Sequence, residues 1–327
     1  MKNQKFISIY ELERKKVNKI LSLALKNRKP ASLYEPGSYI LNSGGKRLRP
    51  LLVLLSAKAV GGKFQNAYNA AAAVEMLHNF TLVHDDIMDN ADKRRGRLTL
   101  HKKYDHNTAI LAGDSLLSIA YEFLLKDCNG NAKEVISSFT HGLIEVCEGQ
   151  SLDTDFELRK NVSLLEYIVM IKKKTAAMAE MCCKIGALLG GGTKSQVNAM
   201  GKYGLNIGIA FQIQDDLLDI SADEKEFGKT IGGDLVEGKK TFLFLEALEK
   251  SDGEDRNKLL KVIERKGIRR NQVLTYKMIY EKLGVLDDAR REIRSYTQKA
   301  LRSINSLSEE NKKIFKWLAD SLIYRTS

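Results

Sequence analysis

Proline is nearly absent from this chain: Pro30, Pro36 and Pro50 are the only three in 327 residues, and none follows position 50. Proline breaks helices and populates the turns of β-rich folds, so its scarcity permits long helices throughout and makes an all-α fold the natural expectation. Cysteine is scarce too. Cys128, Cys147, Cys182 and Cys183 form no CxxC pair and no metal-ligand spacing with the five histidines, which excludes a zinc site of the usual kind. Four ordinary thiols fit a reducing, cytoplasmic compartment. No stretch reaches about 18 consecutive apolar residues, so no transmembrane segment is expected. Met1 to Lys16 mixes Lys, Glu and Arg among its apolar positions and lacks the core of a signal peptide.

What is present is core-forming material and a surplus of positive charge. Hydrophobic residues make up 43% of the chain, and 53 Lys and Arg stand against 41 Asp and Glu, a net charge of +12. That surplus points to an anionic partner: nucleic acid, an acidic membrane surface or a phosphorylated small molecule. A nucleic-acid binder predicts a basic stripe with interleaved aromatics. Here the cations gather around carboxylates instead, so no nucleic-acid partner is expected.

The carboxylates in question are Asp85, Asp86 and Asp89. Asp85 and Asp89 are spaced i and i+4, so on a helix their Cβ atoms lie roughly 5 to 6 Å apart on one face. Two like charges that close destabilise a bare helix. Mg²⁺ answers the need, because it takes one or two protein carboxylates and fills its shell with water and phosphate oxygens. A lone acidic triplet reads best as a solvated helix end. This one is matched by Asp215, Asp216 and Asp219, which repeat the spacing behind a second apolar run.

Helical periodicity covers residues 5–28, 51–60, 67–90, 109–125, 135–148 and 163–189, with Pro30 and Pro36 bracketing the first connection and Gly190-Gly191-Gly192 ending the last of these helices. Gly201, Gly204 and Gly208 share one face of the next helix, a spacing that fits close helix packing rather than chemistry. No composition break marks a linker, so residues 1–327 are expected to form a single domain. Cations follow or precede each motif: Lys46, Arg47 and Arg49 on a glycine turn, Arg94 and Arg95 before Gly96, then Lys174, Lys229 and Lys239. If both triads face one cavity, carboxylates hold Mg²⁺ while Lys and Arg clamp phosphate oxygens, and the implied reaction is one in which diphosphate leaves. His84 reads as a helix-interior hydrogen-bonding group.

The ordered series Gly44-Gly45-Lys46-Arg47-Leu48-Arg49-Pro50, His84-Asp85-Asp86-Ile87-Met88-Asp89, Arg94-Arg95-Gly96, Gly149-Gln150, Lys174-Thr175 and Phe211-Gln212-Ile213-Gln214-Asp215-Asp216-Leu217-Leu218-Asp219 resembles the trans-isoprenyl diphosphate synthases, or polyprenyl synthetases. The resemblance implies an all-α bundle of antiparallel helices around a central cavity, usually a homodimer, that joins isopentenyl diphosphate head-to-tail to an allylic diphosphate. It implies that Asp85, Asp89 and Asp215 bind Mg²⁺, with three ions per site. Asp86, Asp216 and Asp219 would support them. Arg94, Lys174, Gln212, Lys229 and Lys239 resemble the other contacts of the allylic diphosphate, and Lys46, Arg49, His78 and Arg95 those of isopentenyl diphosphate. Thr175 and Gln212 would lie near the reacting carbons. The steps implied are ionisation of the allylic diphosphate, attack by the isopentenyl double bond and loss of a proton, under a closing loop at Gly228–Gly238 and a basic tail at Ile323-Tyr324-Arg325.

Product length is set by cavity depth. Phe80 lies five positions before Asp85, roughly 7 Å down a helix at about 1.5 Å per residue, and Thr81 at the fourth position is small. In the family an aromatic at the fifth position with a small residue at the fourth resembles a C20 rather than a C15 synthase. Rival readings are a class I terpene synthase-like enzyme, which needs no second diphosphate site, and a non-catalytic subunit of a heteromeric synthase, which tends to lose one triad. Both triads are present here.

Overall fold

The computed structural model describes residues 2–221 and 231–323. Helix dominates, and among the described residues strand is confined to one two-residue pair. The chain forms two compact units, Met1–Thr140 with Met181–Gly201 and His141–Glu180 with Lys202–Ser327.

The first unit is built from α1 (Lys2–Ala24), α2 (Ala31–Leu41), α3 (Leu48–Ala59), α4 (Tyr68–Met88), the short α5 (Leu100–Lys103) and α6 (His106–Lys126). The N-terminal half of α4 is buried on all sides, from Ala70 to Leu77. Its four consecutive alanines explain this: alanine has the highest helix propensity and lets neighbouring helices approach closely. The other five helices pack on α4, so the element that ends in Asp85 and Asp86 is also the axis of its unit. By length and composition α6 could cross a membrane; in this fold Ala109, Ala112, Leu116 and Ala120 on it are buried. The Asp105 carboxylate caps it by accepting from the Thr108 backbone N–H at 2.8 Å.

Two features depart from expectation. Pro36 lies inside α2, buried with Gly37, Ile40 and Leu41, rather than in a connection. Burial of its ring offsets the hydrogen bond that its missing N–H forgoes. The basic exit after the first triad is a hairpin in which Lys93–Arg94 pairs with Arg97–Leu98. Arg95 and Gly96 at its tip both have positive φ, 52° and 74°, as the two-residue primed turn requires.

In the rest of the chain, α7 (Ala132–Leu158) runs through the Gly149–Asp153 stretch, ten residues past the expected end. α8 (Leu164–Ile171), opened by a Ser163–Glu166 capping box, continues through a π-helical turn at Lys172–Ala176 into α9 (Ala177–Leu189), and α10 (Lys194–Ser221) follows. Small residues seam α10 to α9: a Cβ on Gly204 would come within 2.4 Å of the Ala179 carbonyl oxygen, and one on Gly208 within 2.6 Å of the Ala176 Cα. That glycine face serves packing, as its spacing implies.

Candidate active site

Asp85 and Asp86 occupy the last turn of α4, and Asp89 is its C-cap residue, its backbone N–H bonded to the Asp85 carbonyl at 2.8 Å. A helix C-terminus carries partial negative charge, so three carboxylates there oppose the dipole as well as one another. Each is handled differently. Asp89 is exposed and Asp85 half-buried. Asp86 is only 1% exposed, and its Oδ1 accepts from Arg94 Nε at 2.6 Å. Burial pushes the Asp86 carboxyl above the usual carboxylate range, and the Arg94 guanidinium works against that rise. Arg94 therefore serves the motif internally. Among the described residues Asp86 Oδ2 has no hydrogen-bond partner, and neither ring nitrogen of His101 has one, although His101 is 5% exposed. Thr99 folds the chain back to bring His101 here, its hydroxyl donating to the Ala91 carbonyl at 2.7 Å. Sequence reading missed His101, which follows the triad by 12 to 16 positions with no spacing that marks it.

Two to three helical turns before the triad, the same helix organises the basic segment. Arg49 NH1 lies 3.1 Å from His78 Nε2. Burial, then the charges of Arg49, Arg95, Arg94 and Arg47, hold His78 well below the ordinary histidine pKa, so the ring is neutral and accepts from Arg49. Arg95 NH1 donates to the Gly44 carbonyl, and Gly44 and Gly45 carry positive φ of 80° and 132°. A Cβ at Gly45 would come within 3.0 Å of the Arg95 guanidinium, so glycine is what admits that arginine. Lys46 is exposed, and its carbonyl accepts from the Tyr10 hydroxyl at 2.7 Å. Arg47 corrects the sequence reading: it is buried, with NH1 on Glu75 Oε1 at 2.6 Å, NH2 on the Leu41 carbonyl at 2.7 Å and Nε on Asn18 Oδ1 at 2.9 Å. Three of its five N–H groups are spent on these partners, and at 4% exposure it is closed off from a phosphate in solution.

Phe80 packs on His84, ring centroids 4.5 Å apart, and Thr81 turns its hydroxyl back to the His78 carbonyl at 2.9 Å. At His84 the buried Nε2 has no hydrogen-bond partner among the described residues, with the Asp114 carboxylate 3.7 Å away and α6 close behind it at Gly113.

In the second unit, Asp215, Asp216 and Asp219 lie on α10. Asp216 is 5% exposed. Tyr167 donates its hydroxyl and Phe242 its backbone N–H, at 3.0 Å, to Oδ2, while Gln212 Nε2 donates to Oδ1 at 3.1 Å. Burial outweighs these donors and pushes the carboxyl up to about 6. Asp219 accepts from the N–H groups of Gly233 and Asp234, both at 3.2 Å, and burial raises it also. Asp234 is pushed up to about 7 by burial and by the charges of Asp219 and Asp216.

Lys174 and Thr175 sit in the π-helical turn, a feature that recurs at functional sites. The wider turn presents three consecutive lysines differently: Lys172 is exposed, Lys173 pairs with Glu145 and Glu148, and Lys174 pairs with Asp153. Gly149 makes room for the turn, since a Cβ there would come within 2.1 Å of the Lys174 nitrogen. Thr175 Oγ1 donates to Gln212 Oε1 at 2.9 Å. Lys239 lies 2.7 Å from Glu237. Lys174, Thr175, Gln212, Asp216, Asp234 and Lys239 all line one cavity of about 150 Å³, with Tyr167 and Asp153. Tyr167, Asp153 and Asp234 belong to this lining, and sequence reading did not assign them to a site. Lys229, most of the Gly228–Gly238 loop's first half and the tail from Tyr324 lie outside the described residues.

The polyprenyl synthetase family matches residues 30–283. The chain belongs to that family. A geranylgeranyl diphosphate synthase of Sulfolobus acidocaldarius is 40% identical over 316 residues, 94% of this chain and 95% of that one. A geranylfarnesyl diphosphate synthase of Natronomonas pharaonis is 43% identical over 250 residues, 71% of this chain and 73% of its own length. The crystal structure of a geranylgeranyl pyrophosphate synthetase from Pyrococcus horikoshii Ot3 superposes with a TM-score of 0.91 at 34% identity, covering 99% of this chain and 100% of the other. This polyprenyl synthetase thus has the all-α isoprenoid synthase fold and is a prenyltransferase.

Prenyl synthases are generally Mg²⁺-dependent, and the donor set can be tested against that ion. Among the described residues no three His, Cys, Asp or Glu side chains converge on one point. Mg²⁺ does not need three, because water and substrate phosphate complete its octahedron. Asp85 and Asp89, oxygen donors on the more open side of α4, fit it. Asp86, turned inward onto Arg94, does not.

Proposed function

We propose that this polyprenyl synthetase condenses isopentenyl diphosphate head-to-tail with an allylic diphosphate and stops at the C20 all-trans product. One observation carries the condensation. Along the single helix α4, the first motif begins, at Asp85, seven positions after the Arg49–His78 contact, about 10 Å at about 1.5 Å of rise per residue. An outward carboxylate pair suits a metal-held diphosphate, and a separate cationic cluster suits a second diphosphate bound without metal. A terpene synthase-like enzyme, with one diphosphate to hold, has no use for the second.

Asp85 and Asp89 would hold Mg²⁺, as would Asp215, with three ions in the full complement. The bound ions stabilise the negative charge that grows on the departing diphosphate. Lys174, Arg94, Lys229 and Lys239 are assigned to the allylic diphosphate, although in the free chain Arg94 and Lys174 are each engaged by an aspartate. Lys46, Arg49, His78 and Arg95 take isopentenyl diphosphate. Gln212, linked to both Thr175 and Asp216, orients its carbonyl and the Thr175 hydroxyl toward the cationic carbons. Asp86, Asp216 and Asp219 fix the motifs from behind. Phe80, braced by His84, forms the floor that stops elongation. The chain works as one domain within a cytoplasmic homodimer; its cysteines carry no disulfide.

The test is the product profile with Mg²⁺, isopentenyl diphosphate and C5, C10 or C15 allylic primers. A C20 product that disappears with chelator is expected, and Phe80→Ala lengthens it. A C25 product from the wild-type chain removes the Phe80 floor and keeps the synthase. No condensation by folded protein sinks the reading and favours the non-catalytic subunit.

A further inference from the structure

We propose that Arg47 is a positioning residue for isopentenyl diphosphate: it never touches the substrate, and it fixes the loop that does. The proposal rests on the assignment of Lys46, Arg49 and His78 given above. Arg47 adopts a left-handed backbone conformation, φ 50° and ψ 38°, immediately before the first residue of α3. A non-glycine residue holds that conformation only when its surroundings over-determine it. They do so here through all three guanidinium nitrogens, which are fixed by three different elements: Asn18 on α1, the Leu41 carbonyl at the end of α2, and Glu75 on α4.

The consequence is geometric. Arg47 is 4% exposed and Glu75 2%, so their ion pair is unscreened and its direction is set by packing. Glu75 and His78 stand three positions apart on α4 and so lie on one face. The first receives Arg47 and the second meets Arg49. That single turn of α4 therefore fixes both arginines, and the left-handed bend between Lys46 and Leu48 throws Lys46 outward while α3 begins with Arg49 in its first turn. The Lys46 carbonyl, held by Tyr10, and the Gly44 carbonyl, held by Arg95, pin the outer side of the same segment. Lysine at 47 would keep the charge and lose the fork that joins three helices. The loop would then lose the fixed backbone that carries Lys46 outward and starts α3 at Arg49.

The experiment compares Arg47→Lys, Glu75→Gln and Asn18→Ala in the full chain, measuring KM for isopentenyl diphosphate, KM for the allylic diphosphate and Tm. Lys46→Ala and Arg49→Ala serve as controls for the site itself. Arg47→Lys and Glu75→Gln are expected to raise KM for isopentenyl diphosphate about tenfold or more, and Asn18→Ala about threefold, the loss of one hydrogen bond. The allylic KM stays within about twofold, as expected when remote binding is untouched. Two KM values rising together, or a fall in Tm with neither KM changed, means a merely structural strut and overturns the proposal. If Lys46→Ala and Arg49→Ala leave the isopentenyl KM unchanged, the site assignment itself fails and the positioning role goes with it.

Discussion

In α4 the middle carboxylate of the motif, Asp86, faces a guanidinium; in α10 its counterpart, Asp216, faces a phenol, a side-chain amide and a backbone N–H. Both are almost fully buried, and the sequence spacing around them is the same. The difference lies in charge. Arg94 brings a full positive charge to oppose desolvation, so Asp86 is compensated as an anion. The donors to Asp216 are neutral, hydrogen-bond the anion without neutralising it, and leave the carboxyl at about 6. One repeated motif thus contains one paired charge and one proton-binding group near neutral pH. The spacing fixes where the outer carboxylates point, and residues far away in the chain fix the electrostatics behind them.

The comparison breaks most sharply at Arg94. Arg94→Met leaves Asp86 buried without its counter-charge, a change that costs about 3–5 kcal/mol for pairs of this kind. Denaturant unfolding at pH 7 is expected to show that loss, and to show less of it at acid pH, because burial already raises the Asp86 carboxyl and removing Arg94 takes away the charge that opposes the rise. An equal loss at both pH values would mean that Arg94 acts through packing alone.

A smaller effect separates the second motif by pH. For Asp216 the folded pKa of about 6 lies above the ordinary 3.8. The folded state therefore binds the proton more tightly than the unfolded chain does. That contribution to stability is fully present below about pH 4 and is lost as pH rises through about 6. A rise of about two units corresponds to at most about 3 kcal/mol at 1.36 kcal/mol per unit. In chelator, wild type measured against Asp216→Asn should show this fall between pH 4 and 7. A flat difference would place the ordinary carboxylate pKa on Asp216 and erase the contrast with Asp86.

Much of this architecture was legible in the chain. Proline scarcity announced the helices, the periodicity over residues 67–90 announced the long helix that carries the first triad, and i, i+4 aspartates announced two matched motifs. What was hidden depends on partners separated in sequence. Arg47 and Arg49 look alike as neighbouring cations, and only the position of Glu75 and His78 on α4 buries the first against Glu75 and sets the second against His78. Arg94 reads as a phosphate contact, and nothing in the spacing reveals that its Nε also serves Asp86, eight positions back. Tyr167 sits in an apolar helix, where an aromatic residue signals core and nothing in the pattern reveals that its hydroxyl reaches α10. The π-helical turn is equally silent, because Ser163–Leu189 keeps a helical pattern whether or not one turn widens.

Tyr167→Phe offers the finest test of the contrast. The substitution deletes a single donor to Asp216 Oδ2 and keeps the ring against Phe242, whose backbone N–H still serves the same oxygen. A net loss of about 1–2 kcal/mol at pH 7 is expected, since the hydrogen bond is to a charged group and one donor remains. The pH behaviour identifies the cause. The Tyr167 hydroxyl lowers the Asp216 pKa, so its removal raises that pKa further above 3.8, and the stability fall moves to higher pH. Below about pH 4, where the carboxyl is protonated in both folded and unfolded chains, the variant and wild type should converge. Carboxyl ¹³C NMR of the two proteins reads the shift directly. If Asp216 instead titrates unchanged in Tyr167→Phe, burial alone holds it, and the phenol is an occupant of the site rather than its electrostatic partner.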